Sequence, residues 1–387
     1  MAVIDPSDLS LDKFQRFFGI YFTSRHRFML QVRRTAQLFD SCDEVVSRAR
    51  FLQLATQMSW TLAYVDGQGT ELFRDALIRS LLKINATLIL HAKGDPVPAT
   101  GENTIRLSHH TRGRHPGTWH YKMAYLPHLF HLDRLGYSGW SELAGVQPRD
   151  IAAVDRGAAE RHFDAVIARD RDSGVSKFAQ RAAAPLAVRD YVFLAGQVHN
   201  DSVIALCFEP DYLASFRTAV ARLLEAGETV VVKLHPHCDR PRFMALLEPL
   251  ACERLVITDG SIHDIIPGAK AVVTANSGVG YEALTYLKPV ICLARSDYAR
   301  AGWECREAAT LPEVLRQAES TDLSLRIKRF LYLATRRYQV DVREEEAMDR
   351  HVLRLLCERY TQSQQGRKEA GAGAPEDDAP LLALDPG

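Results

Sequence analysis

Five short runs rich in β-branched and small apolar residues constrain this chain most: YVFLAG (191–196), TVVVKLHP (229–236), RLVITDG (254–260), KAVVTAN (270–276) and KPVICLA (288–294). Segments with helical periodicity lie between them, at 211–226, 241–250, 262–267 and 278–287. Strands and helices alternating at this spacing predict a parallel sheet with right-handed crossovers, that is, a Rossmann-like domain. Ligands of such a sheet belong beyond the C-terminal ends of its strands.

The N-terminal half carries weaker signals. Residues 11–55 read as helical, with apolar residues recurring three and four apart. WTLAYVDGQG (60–69) reads as a strand ending in a Gly-bracketed turn, followed by a helix over 70–83. ATLILHAKGD (86–95) and NTIRLS (103–108) read as further strands, before the polar loop SHHTRGRHPG (108–117) and a mixed aromatic segment. Alternation again implies an α/β layer. Helical periodicity returns over 311–361, and the Gly-, Ala-, Pro- and acid-rich end reads as a disordered tail. The organisation expected is an α/β domain over 1–187, a Rossmann-like domain over 188–310, helices over 311–365 and a tail over 366–387.

A length of 387 residues exceeds one compact core and fits two domains. Lys+Arg and Asp+Glu are equal at 48 each, which argues against bulk nucleic-acid binding and requires any anionic ligand to be held by a local site. No apolar run approaches the ~20 residues of a transmembrane helix, and the N-terminus does not read as a signal peptide. The seven cysteines are scattered and never spaced as CxxC, so a disulfide framework and a structural zinc are not expected and a cytoplasmic setting fits.

Four polar clusters follow predicted strands and so belong on one rim. They are Gln197–His199–Asn200–Asp201; Lys233, His235, Pro236, His237 and Arg240; Asp259–Gly260–Ser261; and Asn276, Ser277, Gly278, Gly280 and Glu282. In the last, glycines at a helix start let a phosphate approach the free N–H groups, Ser277 caps the helix and can donate to a phosphate oxygen, and Glu282 can reach ribose hydroxyls. The alternative is a capped helix with glycines for packing. Asp201 taken alone reads as an N-cap, and His235 as a strand-terminal residue stiffened by Pro236. Four such clusters on successive strands shift the balance towards a site.

In this order, GQVHNDSVI, VVVKLHPH, VVTANSGVGYEALTYLKPVICL and YARAG resemble the retaining β-Kdo glycosyltransferases of bacterial capsule and O-antigen (lipopolysaccharide) biosynthesis over roughly residues 190–303. The resemblance implies a GT-B-type α/β fold of two Rossmann-like domains facing a cleft, CMP-Kdo as donor and a saccharide acceptor, free or lipid-linked. It implies Asp201 as nucleophile of a double displacement, Gln197 as its orienting neighbour, and His235 and Ser277 at the CMP phosphate. Glu282 falls on the ribose, with Lys233, Pro236, Asn276 and Gly278 completing the donor site. A single serine stands where many relatives have a pair.

No metal or other cofactor is expected, since such a donor site needs no divalent ion. Candidate bases or acceptor contacts in the N-terminal half are Asp66, His109, His110 and Arg112. The competing readings are an inverting CMP-sugar (sialyl-type) transferase of the same fold and a non-catalytic nucleotide-sugar-binding subunit of a polysaccharide assembly; the protein is expected in the cytoplasm, free or peripheral at the inner membrane.

Overall fold

The computed structural model describes residues 2–4, 58–63, 69–82, 86–91, 103–181, 186–208 and 211–370. The helical reading of 11–55 and the site candidate Asp66 lie outside these residues. The described chain forms two compact α/β units.

The first unit holds residues up to Met123, His128–Tyr137 and the chain from Gln339 onward. Its strands are β1 (Ala2–Ile4), β2 (Ser59–Ala63), β3 (Thr87–His91), β4 (Thr104–His109), β5 (Thr118–Met123) and β6 (Leu129–Asp133), closed by a C-terminal strand, Gln339–Asp341. In the order β1-β3-β2-β4-β5-β6-(339–341), β3, β2, β4 and β5 run parallel while the outer strands pair antiparallel. Helix α1 (Thr70–Leu82) packs Phe73, Leu77 and Leu81 into the core of Trp60, Leu62, Ile105, Leu107 and Trp119. The helix Glu345–Ala370 adds Met348, Val352 and Leu356 to that core.

The second unit holds Ala124–Pro127 and Ser138–Tyr338. Helices α2 (Pro148–Ala152), α3 (Arg156–His162) and α4 (Ala168–Asp172) lead into an all-parallel sheet. Its strands are β7 (Tyr191–Ala195), β8 (Val230–Lys233), β9 (Leu255–Ile257), β10 (Ala269–Thr274), β11 (Val290–Cys292) and β12 (Trp303–Glu304). The connecting helices are α5 (Ser202–Cys207), α6 (Tyr212–Glu225), α7 (Arg240–Leu247), α8 (Ile262–Gly268) and α9 (Gly278–Thr285). Helices α10 (Leu311–Glu319) and α11 (Ser324–Leu333) complete the unit. Strand residues alternate between two cores: Val192 and Leu194 enter one, Tyr191, Phe193 and Ala195 the other. Burial on both faces explains why four of the runs read as continuously apolar, while β9, at the sheet edge, is half-buried. Each large side chain so buried contributes about 1.5–3 kcal/mol.

The expected domain limits need correction. Residues 138–187 belong to the second unit, because α2 and α3 pack on α11, and Ile151 of α2 and Phe163, just after α3, enter its core. The helical stretch 311–361 is broken by the strand Gln339–Asp341, where the chain passes into the first unit and pairs with β6. The last helix continues to Ala370, beyond the start expected for the tail.

Candidate functional site

The second sheet runs β12-β11-β10-β7-β8-β9. Chain order therefore reverses between β7 and β10, and the exits of these adjacent strands flank the switch point, where parallel sheets of this kind bind ligands. Gln197 and Asn276 occupy those exits, and both are buried. Gln197 Nε2 donates to Asn276 Oδ1 at 2.9 Å, while Gln197 Oε1 accepts from the Asn276 N–H at 2.8 Å and from Thr274 Oγ1 at 3.2 Å. Asn276 Nδ2 reaches the Val203 carbonyl at 3.0 Å, and the Gln197 N–H donates to Tyr212 Oη at 2.8 Å. Gln197, expected beside Asp201, is instead bound to Asn276; its amide fixes the shape of the switch point.

Asp201 is exposed at the N-cap of α5, where Oδ1 accepts from the Val203 N–H at 3.0 Å. The capping reading is thus correct locally, and it also aims a carboxylate at the rim. His235 lies half-buried at the β8 exit, and its Nδ1 accepts from the His237 N–H at 3.1 Å. That bond assigns the imidazole proton to Nε2, leaving Nε2–H as a donor. Burial, with a smaller push from His237, lowers the His235 pKa, and the Asp201 carboxylate opposes the shift. His235 is therefore a neutral hydrogen-bond donor near pH 7.

Ser277 caps α9 by accepting from the Val279 N–H at 3.3 Å, and its carbonyl accepts from Tyr298 Oη. The glycines here serve packing. A Cβ on Gly280 would lie 2.6 Å from Tyr298 Oη, and one on Gly278 would lie 3.1 Å from Tyr125. Tyr125 stacks on Tyr281 with ring centroids 4.8 Å apart and donates to Asp297. The room expected for a phosphate beside Gly278 and Gly280 is filled by two tyrosines.

Glu282, expected on a ribose, is buried and accepts from Ser176 Oγ at 2.5 Å. Ser176 Oγ also lies 2.9 Å from His263 Nε2, and His263 Nδ1 lies 2.9 Å from Tyr286 Oη. Burial pushes the Glu282 carboxyl up to about 7, and the Ser176 bond opposes. Lys233, expected at the donor, turns its ammonium onto the Gly260 carbonyl. Pro236 is exposed in the turn after His235.

In the first unit, His109 ends β4 and His110 follows it, at the C-terminal end of the parallel strands. His109 packs on Tyr121 with centroids 5.0 Å apart. His110 has φ 55°, held by its N–H bond to the Tyr121 carbonyl at 2.9 Å, and its Nε2 accepts from Lys122 Nζ at 2.8 Å. The lone pair a base would use is therefore engaged. Arg112 is half-buried on a loop braced by His120, whose ring nitrogens meet Thr111 Oγ1 at 2.6 Å and the Gly113 carbonyl at 2.7 Å.

Sequence reasoning missed Ser176, Lys177, Phe178, Tyr125 and Tyr298. The first three follow α4, and the Phe178 ring meets the His235 ring edge-on at 4.9 Å. Only the Gly-Ser character of SGVSKF (173–178) hinted at a loop there.

A parallel sheet with a polar rim at its switch point has the arrangement in which open α/β domains hold their ligands. Residues 159–338, all within the second unit, match the model of the family described as capsule polysaccharide biosynthesis protein. Among solved structures it is similar to the beta Kdo 2,4 transferase of KpsC from Thermosulfurimonas dismutans, at 16% identity and TM-score 0.46 over 78% of this chain and 98% of that one. The beta Kdo 2,7 transferase of the same protein matches at 16% identity and TM-score 0.47 over 73% and 92%. A UDP-GlcNAc 2-epimerase of Methanocaldococcus jannaschii matches at 9% identity and TM-score 0.35 over 78% and 100%. No curated protein sequence matches the chain. No helix among the described residues is long and apolar enough to cross a membrane.

Proposed function

We propose that the protein is a glycosyltransferase that moves Kdo from CMP-Kdo to a saccharide acceptor with retention, in the synthesis of a surface polysaccharide. One observation carries this reading. Asp201, His235 and Ser277 sit at the exits of three neighbouring parallel strands, β7, β8 and β10, within the segment that matches the capsule family.

The chemistry divides into two displacements. The Asp201 carboxylate attacks the anomeric carbon of Kdo; a C–O bond to Asp201 forms as the C–O bond to the phosphate breaks, and CMP leaves with the electron pair. The His235 Nε2–H and the Ser277 hydroxyl donate to the departing phosphate, whose charge the site has to balance. An acceptor hydroxyl then attacks the same carbon from the opposite face, expels the Asp201 carboxylate and gives up its proton to a base. Two inversions retain the configuration. The reaction needs no divalent metal, so transfer is expected to persist in EDTA.

The test is intact-protein mass spectrometry after incubation with CMP-Kdo alone, with NMR of the product formed once acceptor is added. A mass gain of one Kdo residue, absent in Asp201→Asn, and a β-linked product are expected. An anomerically inverted product with no adduct would sink the retaining mechanism.

A further inference from the structure

Because His235 is neutral, a phosphate at this rim needs a cation from another residue. The cations on the β8 exit are engaged elsewhere. Lys233 Nζ lies on the Gly260 carbonyl, Arg240 pairs with Asp259 at 2.8 Å, and Arg242 Nη1 lies 3.4 Å from His199 Nε2.

The stretch 173–181, just after α4, is fastened to the rim at three points. Ser176 Oγ bonds to Glu282 and meets His263, Phe178 packs against His235, and Gln180 Oε1 accepts from the Ile262 N–H at 3.1 Å. The chain bends at Lys177 and Phe178, between these anchors. Phe178 stays 40% exposed and Val175 48%, although both belong to a stretch held down on either side. Lys177 itself is exposed and stands between Ser176, tied to Glu282, and Phe178, whose ring packs on His235. Loss of hydration lowers its pKa while the Asp201 carboxylate raises it, and its charge lowers that of His235.

We propose that residues 173–181 form a clasp at the donor site and that Lys177 binds an anionic oxygen of the donor, on the phosphate or on the sugar carboxylate. The inference rests on the nucleotide-sugar reading above. Lys177 offsets the repulsion that Asp201 exerts on an incoming anion, and Phe178 offers an apolar surface beside His235. A point charge on a flexible stem suits this position, since it can follow the phosphate as the bond to sugar breaks.

Calorimetric titration of the full chain with CMP and, separately, with CMP-Kdo tests this. Lys177→Ala is expected to weaken binding about tenfold or more, as for the loss of a charged hydrogen bond, and Lys177→Arg to recover most of it. A loss seen with CMP assigns the contact to the phosphate; a loss seen with CMP-Kdo alone assigns it to the carboxylate. Undiminished binding of both ligands by Lys177→Ala overturns the clasp and leaves the donor reading standing. Wild-type protein that binds neither ligand overturns both.

Discussion

Gln197 and Asn276 tie β7 to β10 through two hydrogen bonds, side chain to side chain at 2.9 Å and backbone N–H to side chain at 2.8 Å. They lie 79 residues apart in sequence and meet where the sheet reverses its order. Gln197→Ala removes the partners of the buried Asn276 N–H and Oδ1 and is expected to cost about 1–3 kcal/mol in urea unfolding, with weaker CMP binding. Unchanged stability would show that the pair does not shape the switch point.

Asp201 is both a helix cap and the proposed nucleophile, and one substitution separates the roles. Asparagine caps a helix as well as aspartate, so Asp201→Asn should unfold within about 0.5 kcal/mol of wild type. Its transfer rate should fall at least ~1,000-fold if a covalent bond to the carboxylate is required. Full transfer by this variant would remove Asp201 from the mechanism.

Gly280 owes its place to Tyr298. A Cβ 2.6 Å from the phenol oxygen forces a buried ring to move, so Gly280→Ala should cost about 1–3 kcal/mol by overpacking. Differential scanning calorimetry measures it; a variant as stable as wild type would mean that the ring yields freely.

Glu282 links stability to pH. Burial raises its carboxyl from 4.5 to about 7, so the folded chain holds a proton that the unfolded chain releases. This contribution is full below about pH 4.5, declines as pH rises towards 7 and is constant above. The interval corresponds to ~3 kcal/mol. Glu282→Gln cannot ionise and keeps an acceptor for Ser176, so its urea midpoint should depend less on pH across this window. Parallel wild-type and variant curves would contradict the assignment.

The second unit was largely legible in the sequence. Each of the five apolar runs contains a strand; in four of them, burial on both faces leaves β-branched residues with no polar alternation to confuse them with a helix. β6 and the strand Gln339–Asp341 were not read. The first lies in a mixed aromatic segment, and the second is three residues long, between helical patterns. Lys177 and Phe178 were equally invisible, since nothing local in SGVSKF distinguishes a clasp from an ordinary turn.

The sequence by itself determined the sheet, its parallel sense and the polar character of the strand exits, because periodicity and turn residues act over a few positions. Only the tertiary structure decided what each polar group does. Gln197 turned from a neighbour of Asp201 into a partner of Asn276. Gly278 and Gly280 make room for tyrosines, and Glu282 went from a ribose contact to the buried anchor of Ser176. The hydrogen-bond partners of Gln197 and Glu282 lie 79 and 106 residues away in sequence, and the packing that brings them together also sets the desolvation that tunes Glu282.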